Sequence, residues 1–144
     1  MVAINIKIKL LNENAILPEK QHDSDAGYDL FSIEEVVLKP NEINKVKTGI
    51  ALQIPTNYGG LVLPRSGLSS KHGISLINTP GLIDSGYRGE LLIPLINHSI
   101  NEYKVDRHER IAQLILIESP QVNIELTSDL DESDRESKGF GSTG

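Results

Sequence analysis

From Ile4 to Leu10 the chain reads Ile-Asn-Ile-Lys-Ile-Lys-Leu, apolar and polar in strict turn. A period of two places successive side chains on opposite faces of an extended strand, a sorting that no helix can perform. The same period returns in residues 46–54 and 122–126, and shorter continuous apolar runs at 36–38, 61–63, 91–96 and 111–117 have the length of buried strands. Turn formers separate them at Pro40-Asn41, Pro55-Thr56-Asn57, Gly59-Gly60 and Asp84-Ser85-Gly86. No stretch combines an apolar stripe at helical spacing with caps at its ends. The pattern predicts an all-β sandwich or barrel. Its core must be mostly Ile, Leu and Val, because aromatic residues make up 4% of the chain and Trp is absent.

With 144 residues the chain has the length of one domain, enough to enclose a hydrophobic core without disulfides. It has no cysteine, which removes thiol nucleophiles, thiolate metal sites and disulfides from consideration. A formal net charge of -6 argues against sequence-independent binding to duplex nucleic acid, which needs a basic face. The apolar runs are far shorter than the roughly 20 residues of a spanning helix, and residues near the N-terminus lack a signal-peptide layout. These readings predict a cytoplasmic protein with no membrane partner and no nucleic-acid partner. Past Leu126 the composition changes: Asp129, Asp131, Glu132, Asp134 and Glu136 crowd around Arg135, and the chain closes on Lys-Gly-Phe-Gly-Ser-Thr-Gly. Such a segment cannot bury a core. The expected organisation is therefore a β-barrel domain over residues 1–126 and a mobile C-terminal tail over 127–144.

Polar chemistry interrupts the strands at five places. Pro64-Arg65-Ser66-Gly67 follows an apolar run, so a guanidinium fork, a hydroxyl and a flexible backbone emerge at one strand end. They suit a phosphate, although such a tetrapeptide is equally a plain turn. Residues 78–89, Asn-Thr-Pro-Gly-Leu-Ile-Asp-Ser-Gly-Tyr-Arg-Gly, read as a hairpin with Leu82 and Ile83 tucked inside and Asp84 and Tyr87 at its end. A carboxylate beside an apolar wall can act as a general base on water. Alternatively, Asp84 starts the turn through an Asx bond and Tyr87 only packs. In the tail, Phe140 stands between two glycines and ahead of two hydroxyls, a composition that can stack on a base and wrap phosphates. Asp29 and Gln113 complete the set, each at a strand position where an apolar or unremarkable residue is expected.

In their order and spacing, the segments around Asp29, Arg65-Ser66-Gly67, Asn78 to Gly89, Gln113 and the tail resemble the motifs of the trimeric dUTPase family. The resemblance spans the chain from Ala26 to Gly144. It implies a jelly-roll-like distorted β-barrel assembled as a homotrimer, with active sites shared between chains. It also implies Mg²⁺-assisted hydrolysis of dUTP to dUMP and pyrophosphate, by water attack on the α-phosphorus. That reaction keeps uracil out of DNA and supplies dUMP for dTMP synthesis.

Carried over residue by residue, Asp29 holds waters on the magnesium, and Arg65, Ser66 and Gly67 engage the phosphate chain. Asn78 and the hairpin main chain around Gly81 read uracil, Asp84 activates water, and Tyr87 packs under the deoxyribose. Gln113 lies near the phosphates and the water. Arg135, Phe140, Gly141, Ser142 and Thr143 close over the nucleotide, with Phe140 on the base. The family tail commonly reads Arg-Gly-x-Gly-Gly-Phe-Gly-Ser-x-Gly, whereas Glu136 and Lys138 stand here where glycines are common. Two alternatives share the fold: a deoxycytidine triphosphate deaminase, which places a catalytic glutamate where this hairpin differs, and a trimeric binding module without catalysis. His22, His72, His98 and His108 show no metal-ligand spacing.

Overall fold

The computed structural model describes residues 2–141. Its elements run β1 (Lys7–Leu10), β2 (Tyr28–Phe31), β3 (Val36–Leu38), β4 (Ile43–Gln53), β5 (Tyr58–Leu63), α1 (Ser66–His72), β6 (Ile74–Leu76), β7 (Gly81–Ile83), β8 (Glu90–Asn97), β9 (Tyr103–Val105) and β10 (Arg110–Glu118). They form one four-stranded sheet in the order β1-β4-β8-β6, a second in the order β2-β10-β5-β7, and a ribbon of β3 and β9. Every strand pair is antiparallel. The inward residues of both sheets, among them Leu30, Ile50, Val62, Ile93 and Leu114, pack into one apolar core with Leu38 and Val105 of the ribbon. The fold is all-β, as the alternating sequence predicts, and is the jelly-roll-like β-barrel that the family resemblance implies.

Three local expectations are corrected. Gly59-Gly60 is not a turn but lies inside β5. A Cβ on Gly60 would come within 3.1 Å of Leu114 Cδ1 and 3.2 Å of Ile54 Cδ1, so the glycine is there because the core leaves no room for a side chain. The Arg65-Ser66-Gly67 segment opens a helix where none was expected. That helix has seven residues, one buried anchor in Leu68, no side-chain cap at Arg65, and a left-handed C-cap at Gly73 (φ 68°), whose N–H reaches the Leu68 and Ser69 carbonyls. A helix with a single apolar contact has no stripe to read. Finally, residues 122–126 form no strand: Val122, Ile124 and Leu126 are 71%, 96% and 99% exposed. An alternating segment becomes a strand only beside another, and this chain offers it none. Residues 4–6 likewise precede the paired part of β1.

One buried polar residue organises a loop that sequence patterning does not reveal. Asn97 is fully buried; its Nδ2 donates to the carbonyls of Leu38 (2.8 Å) and Asn101 (2.7 Å). Its Oδ1 accepts from the N–H (2.9 Å) and hydroxyl (2.8 Å) of Ser99. Replacing Asn97 with Ala leaves several buried groups unpaired, at about 1–3 kcal/mol for each that water cannot reach. Urea unfolding of Asn97→Ala is therefore expected to show a loss of about 2–4 kcal/mol, and an unchanged midpoint would mean the loop finds other partners.

Candidate active site

Sheet order is what brings Asp29, Arg65 and Gln113 together. β10 lies between β2 and β5, so Gln113 is in register with Asp29 on one side and with Leu63 on the other. Pro64 and Arg65 continue directly from Leu63. Gln113 Nε2 donates to the Pro64 carbonyl at 2.9 Å, fixing the point where the chain leaves the sheet and turns into α1. Opposite, Gly27 has no side chain because a Cβ would lie 3.2 Å from Gln113 Cδ. Asp29 is 7% exposed, and its main chain is clamped to Glu19 by N–H···O bonds of 2.7 and 3.3 Å. Its carboxylate faces Arg65 Nε at 3.2 Å and Arg110 Nε at 3.8 Å.

The result is a cleft of about 300 Å³ lined by Asp25, Gly27, Asp29, Arg65, Ser66, Gly67 and Gln113. No atom lies within 4 Å of where a Gly67 Cβ would be, so the main chain there is open to a ligand. The guanidinium, the hydroxyl and the bare backbone suit a phosphate chain. Arg110, which faces Asp29 without lining the cleft, is a residue that motif reasoning passed over. Its only signal was its place at the start of the apolar run that carries Gln113.

The hairpin builds a second, separate cleft of about 210 Å³, whose lining includes Asn78, Gly81, Ile83, Asp84, Tyr87 and Glu90. β7 pairs with β5, and alternation along it sends Ile83 inward while Leu82 is 66% exposed, so Leu82 is not tucked inside as expected. Asp84 sits at the exposed lip. The turn after it is closed by the main chain, Tyr87 N–H to Asp84 O at 3.1 Å. Arg88 Nη1 braces it through the carbonyls of Ser85 (2.6 Å) and Tyr87 (3.0 Å). The Tyr87 hydroxyl donates to the Glu90 carbonyl at 2.9 Å, which lays the ring across Gly89; a Cβ there would meet the ring carbon Cζ at 2.8 Å. Gly89 is thus required for the ring's position.

In the tail, Arg135 Nε donates to the Lys138 carbonyl at 2.6 Å, and Phe140 is fully exposed. Glu136 has φ 51° and Gly141 has φ 82°, so the glutamate occupies a left-handed angle that favours glycine. Among the described residues, none of the tail lines either cleft. Ser142 and Thr143 lie outside the described residues. Among the described residues no three His, Asp or Glu side chains gather as a metal cage. A cation carried by phosphates and waters needs none, and Asp25 and Asp29 give the cleft the oxygen donors such a hydrated ion takes. Asp29 keeps acceptor positions beyond its two arginine partners.

Behind Arg65 lies a further polar group. The Tyr103 hydroxyl donates to Glu109 Oε1 at 2.9 Å, and its ring centroid is 4.8 Å from that of His72. Burial, then the Glu109 hydrogen bond and charge, push the Tyr103 phenol up to about 12. Burial raises the Glu109 carboxyl above the usual range against the lowering hydrogen bond from Tyr103; Asp106 raises it further, while His72 and Arg65 lower it.

The all-β barrel and the chain that builds it are similar to a group of known proteins. A profile of the dUTPase family matches residues 13–144. The deoxyuridine 5'-triphosphate nucleotidohydrolase of Clostridioides difficile is 52% identical over 140 residues, covering 97% of this chain and 98% of that protein. The enzyme of the same name from Clostridium acetobutylicum is 48% identical over 141 residues, covering 98% and 97%. Among solved structures, the Staphylococcus bacteriophage 80alpha dUTPase with dUpNHpp superposes with a TM-score of 0.91 at 35% identity, covering 97% of this chain and 98% of that one. A dUTPase mutant from phage phi11 of S. aureus, described with a structural Mg(II) ion, has a TM-score of 0.83 at 32% identity over 89% of this chain and 99% of that one. The chain belongs to the dUTPase family.

Proposed function

We propose that this protein is a dUTP diphosphatase, hydrolysing dUTP to dUMP and pyrophosphate at sites assembled between the copies of a homotrimer. What supports this most is the single cleft lined by Asp29, Arg65, Ser66, Gly67 and Gln113 in a chain of the dUTPase family. Arg65 and Ser66 bind the phosphates, and the Gly67 main chain approaches them closely. Asn78 and the main chain near Gly81 read the uracil. The Tyr87 ring, held by Glu90 and Gly89, packs under the deoxyribose and leaves no room for a 2′-hydroxyl. Asp84 takes the proton from a water that attacks the α-phosphorus in line with the departing pyrophosphate. Gln113 holds the floor of the phosphate cleft and lies near that water. Asp29 would hold a hydrated Mg²⁺ arriving with the phosphates, and the ion would supply charge neutralisation for the leaving group.

The Asp84 hairpin and the Arg65 segment line different clefts of the chain, and sharing of sites between copies would bring them together. In this reading the Asp84 cleft of one copy meets the Arg65 cleft of another. The exposed Val122, Ile124 and Leu126 are what a strand added to a neighbouring copy would bury. Within residues 1–126 the barrel strands end with β10 at Glu118, and the exposed stretch after it leads out to the tail. The tail from 127 closes over the nucleotide with Arg135, Phe140, Gly141, Ser142 and Thr143, excluding water once substrate is bound. The product supplies dTMP synthesis, the reaction removes dUTP before it enters DNA, and the compartment is the cytoplasm. No helix among the described residues is long and apolar enough to cross a membrane.

Pyrophosphate release from dUTP, dCTP, dTTP and UTP, each with Mg²⁺ and with chelator, tests the reading. Metal-dependent release confined to dUTP, with dUMP as product, is expected. Conversion of dCTP to a uracil nucleotide would make the protein a deaminase, and no turnover of any substrate would make it a binding module.

A further inference from the structure

Glu109 Oε1 accepts from Tyr103, but Oε2 is buried and has no hydrogen-bond partner among the described residues. The main chain around it leaves little freedom to escape: Ser32 N–H donates to the Glu109 carbonyl at 2.9 Å, and Glu109 N–H donates to Asp106 at 3.1 Å. The charged groups that face it come from three elements. His72 and Arg65 lie at the two ends of α1, Tyr103 on β9, and Asp106 on the turn into β10. Arg65 is also tied to the chain next to Glu109, its Nη1 donating to the Arg110 carbonyl at 3.5 Å. Of these groups, Arg65 is the one that also lines the phosphate cleft.

We propose that Glu109 is a proton-linked positioning residue for the phosphate cleft: it takes a proton from solvent when a nucleoside triphosphate binds Arg65, so nucleotide affinity falls as pH rises and Glu109 ionises. The inference rests on reading the Arg65 cleft as the phosphate site. Two effects act in the same direction. An ionised Glu109 draws support from the Arg65 charge, and a bound triphosphate neutralises that charge; the phosphates also bring negative charge of their own towards a carboxylate already short of one partner. Each favours the protonated form, and a proton taken up on binding means, by linkage, tighter binding at lower pH. The burial that raises the free carboxyl places this exchange closer to neutrality than an exposed glutamate would.

The test is calorimetric titration of wild-type protein and Glu109→Gln with Mg²⁺ and dUpNHpp, in two buffers of different ionisation enthalpy, from about pH 5.5 to about pH 8. Protonation of the free nucleotide is common to both proteins and cancels in the difference. Wild type is expected to take up more protons on binding than Glu109→Gln towards the acid end of that range, and the variant's affinity advantage should grow from about onefold to about three- to tenfold as pH rises. Equal proton counts, or an affinity ratio flat with pH, overturn the proposal. If Glu109→Gln still hydrolyses dUTP in that case, the reading of the cleft survives alone. Absence of any nucleotide binding by wild type overturns both. Tyr103→Phe removes the partner of Oε1, so the same divergence from Glu109→Gln should move to higher pH; no movement counts against the proposal even if the glutamine variant folds poorly.

Discussion

Asp84→Asn is expected to lower kcat by about 10²–10⁴-fold while KM for dUTP stays within about threefold. The amide keeps the shape of the carboxylate and cannot accept a proton from water. It also leaves the hairpin intact, because the turn at Asp84 is closed by its main-chain carbonyl and braced by Arg88, with no demand on the Asp84 side chain. Steady-state kinetics on dUTP with Mg²⁺ provide the check, with thermal unfolding as the control for fold. A turnover number equal to that of wild type would remove Asp84 from the reaction, whereas a rise in KM alone would make it a binding residue.

Arg65→Ala is expected to reduce kcat/KM by about 10²–10³-fold, the usual consequence of removing a donor aimed at developing charge. It should also destabilise the fold. The Asp29 carboxylate is buried, and without the 3.2 Å partner it keeps only Arg110 at 3.8 Å. A loss of about 1–3 kcal/mol follows, below the cost of breaking a fully buried pair because the Arg65 side chain is 32% exposed. The two effects separate in the double variant Asp29→Asn with Arg65→Ala. Removing the orphaned charge should recover much of the stability and none of the activity. Recovery of both would show that Arg65 serves the fold and not the phosphates.

The strands that sequence patterning located are those whose burial is a property of the strand itself. β4, β8 and β10 are long and carry either strict alternation or continuous apolar runs, so they stand out within a few residues of their ends. β6, β7 and β9 have three residues each, too few for a period to be visible. Gly60 was misread because glycine has two uses, and only the distance to Leu114 and Ile54 distinguishes a turn from a crowded core. Asn97 looked like any polar residue at a strand end, since its hydrogen bonds reach Leu38, 59 positions away.

The candidate site divides in the same way. Arg65, Ser66 and Gly67 carry their chemistry in adjacent positions, and Asp84 and Tyr87 lie within one four-residue stretch, so each group could be picked out locally. Their neighbours could not. That Arg110 shares Asp29 with Arg65 and that Gln113 braces Pro64 follow from β10 sitting between β2 and β5.

Sequence alone determined the all-β class and the chemical groups at each motif, because side-chain periodicity and functional-group identity are local properties of the chain. Tertiary structure alone decided which motifs share a cleft, where Leu82 points, and that residues 122–126 find no strand to pair with here. Those outcomes depend on sheet order and register, and hydrogen bonds between strands distant in sequence leave no periodic trace in either strand.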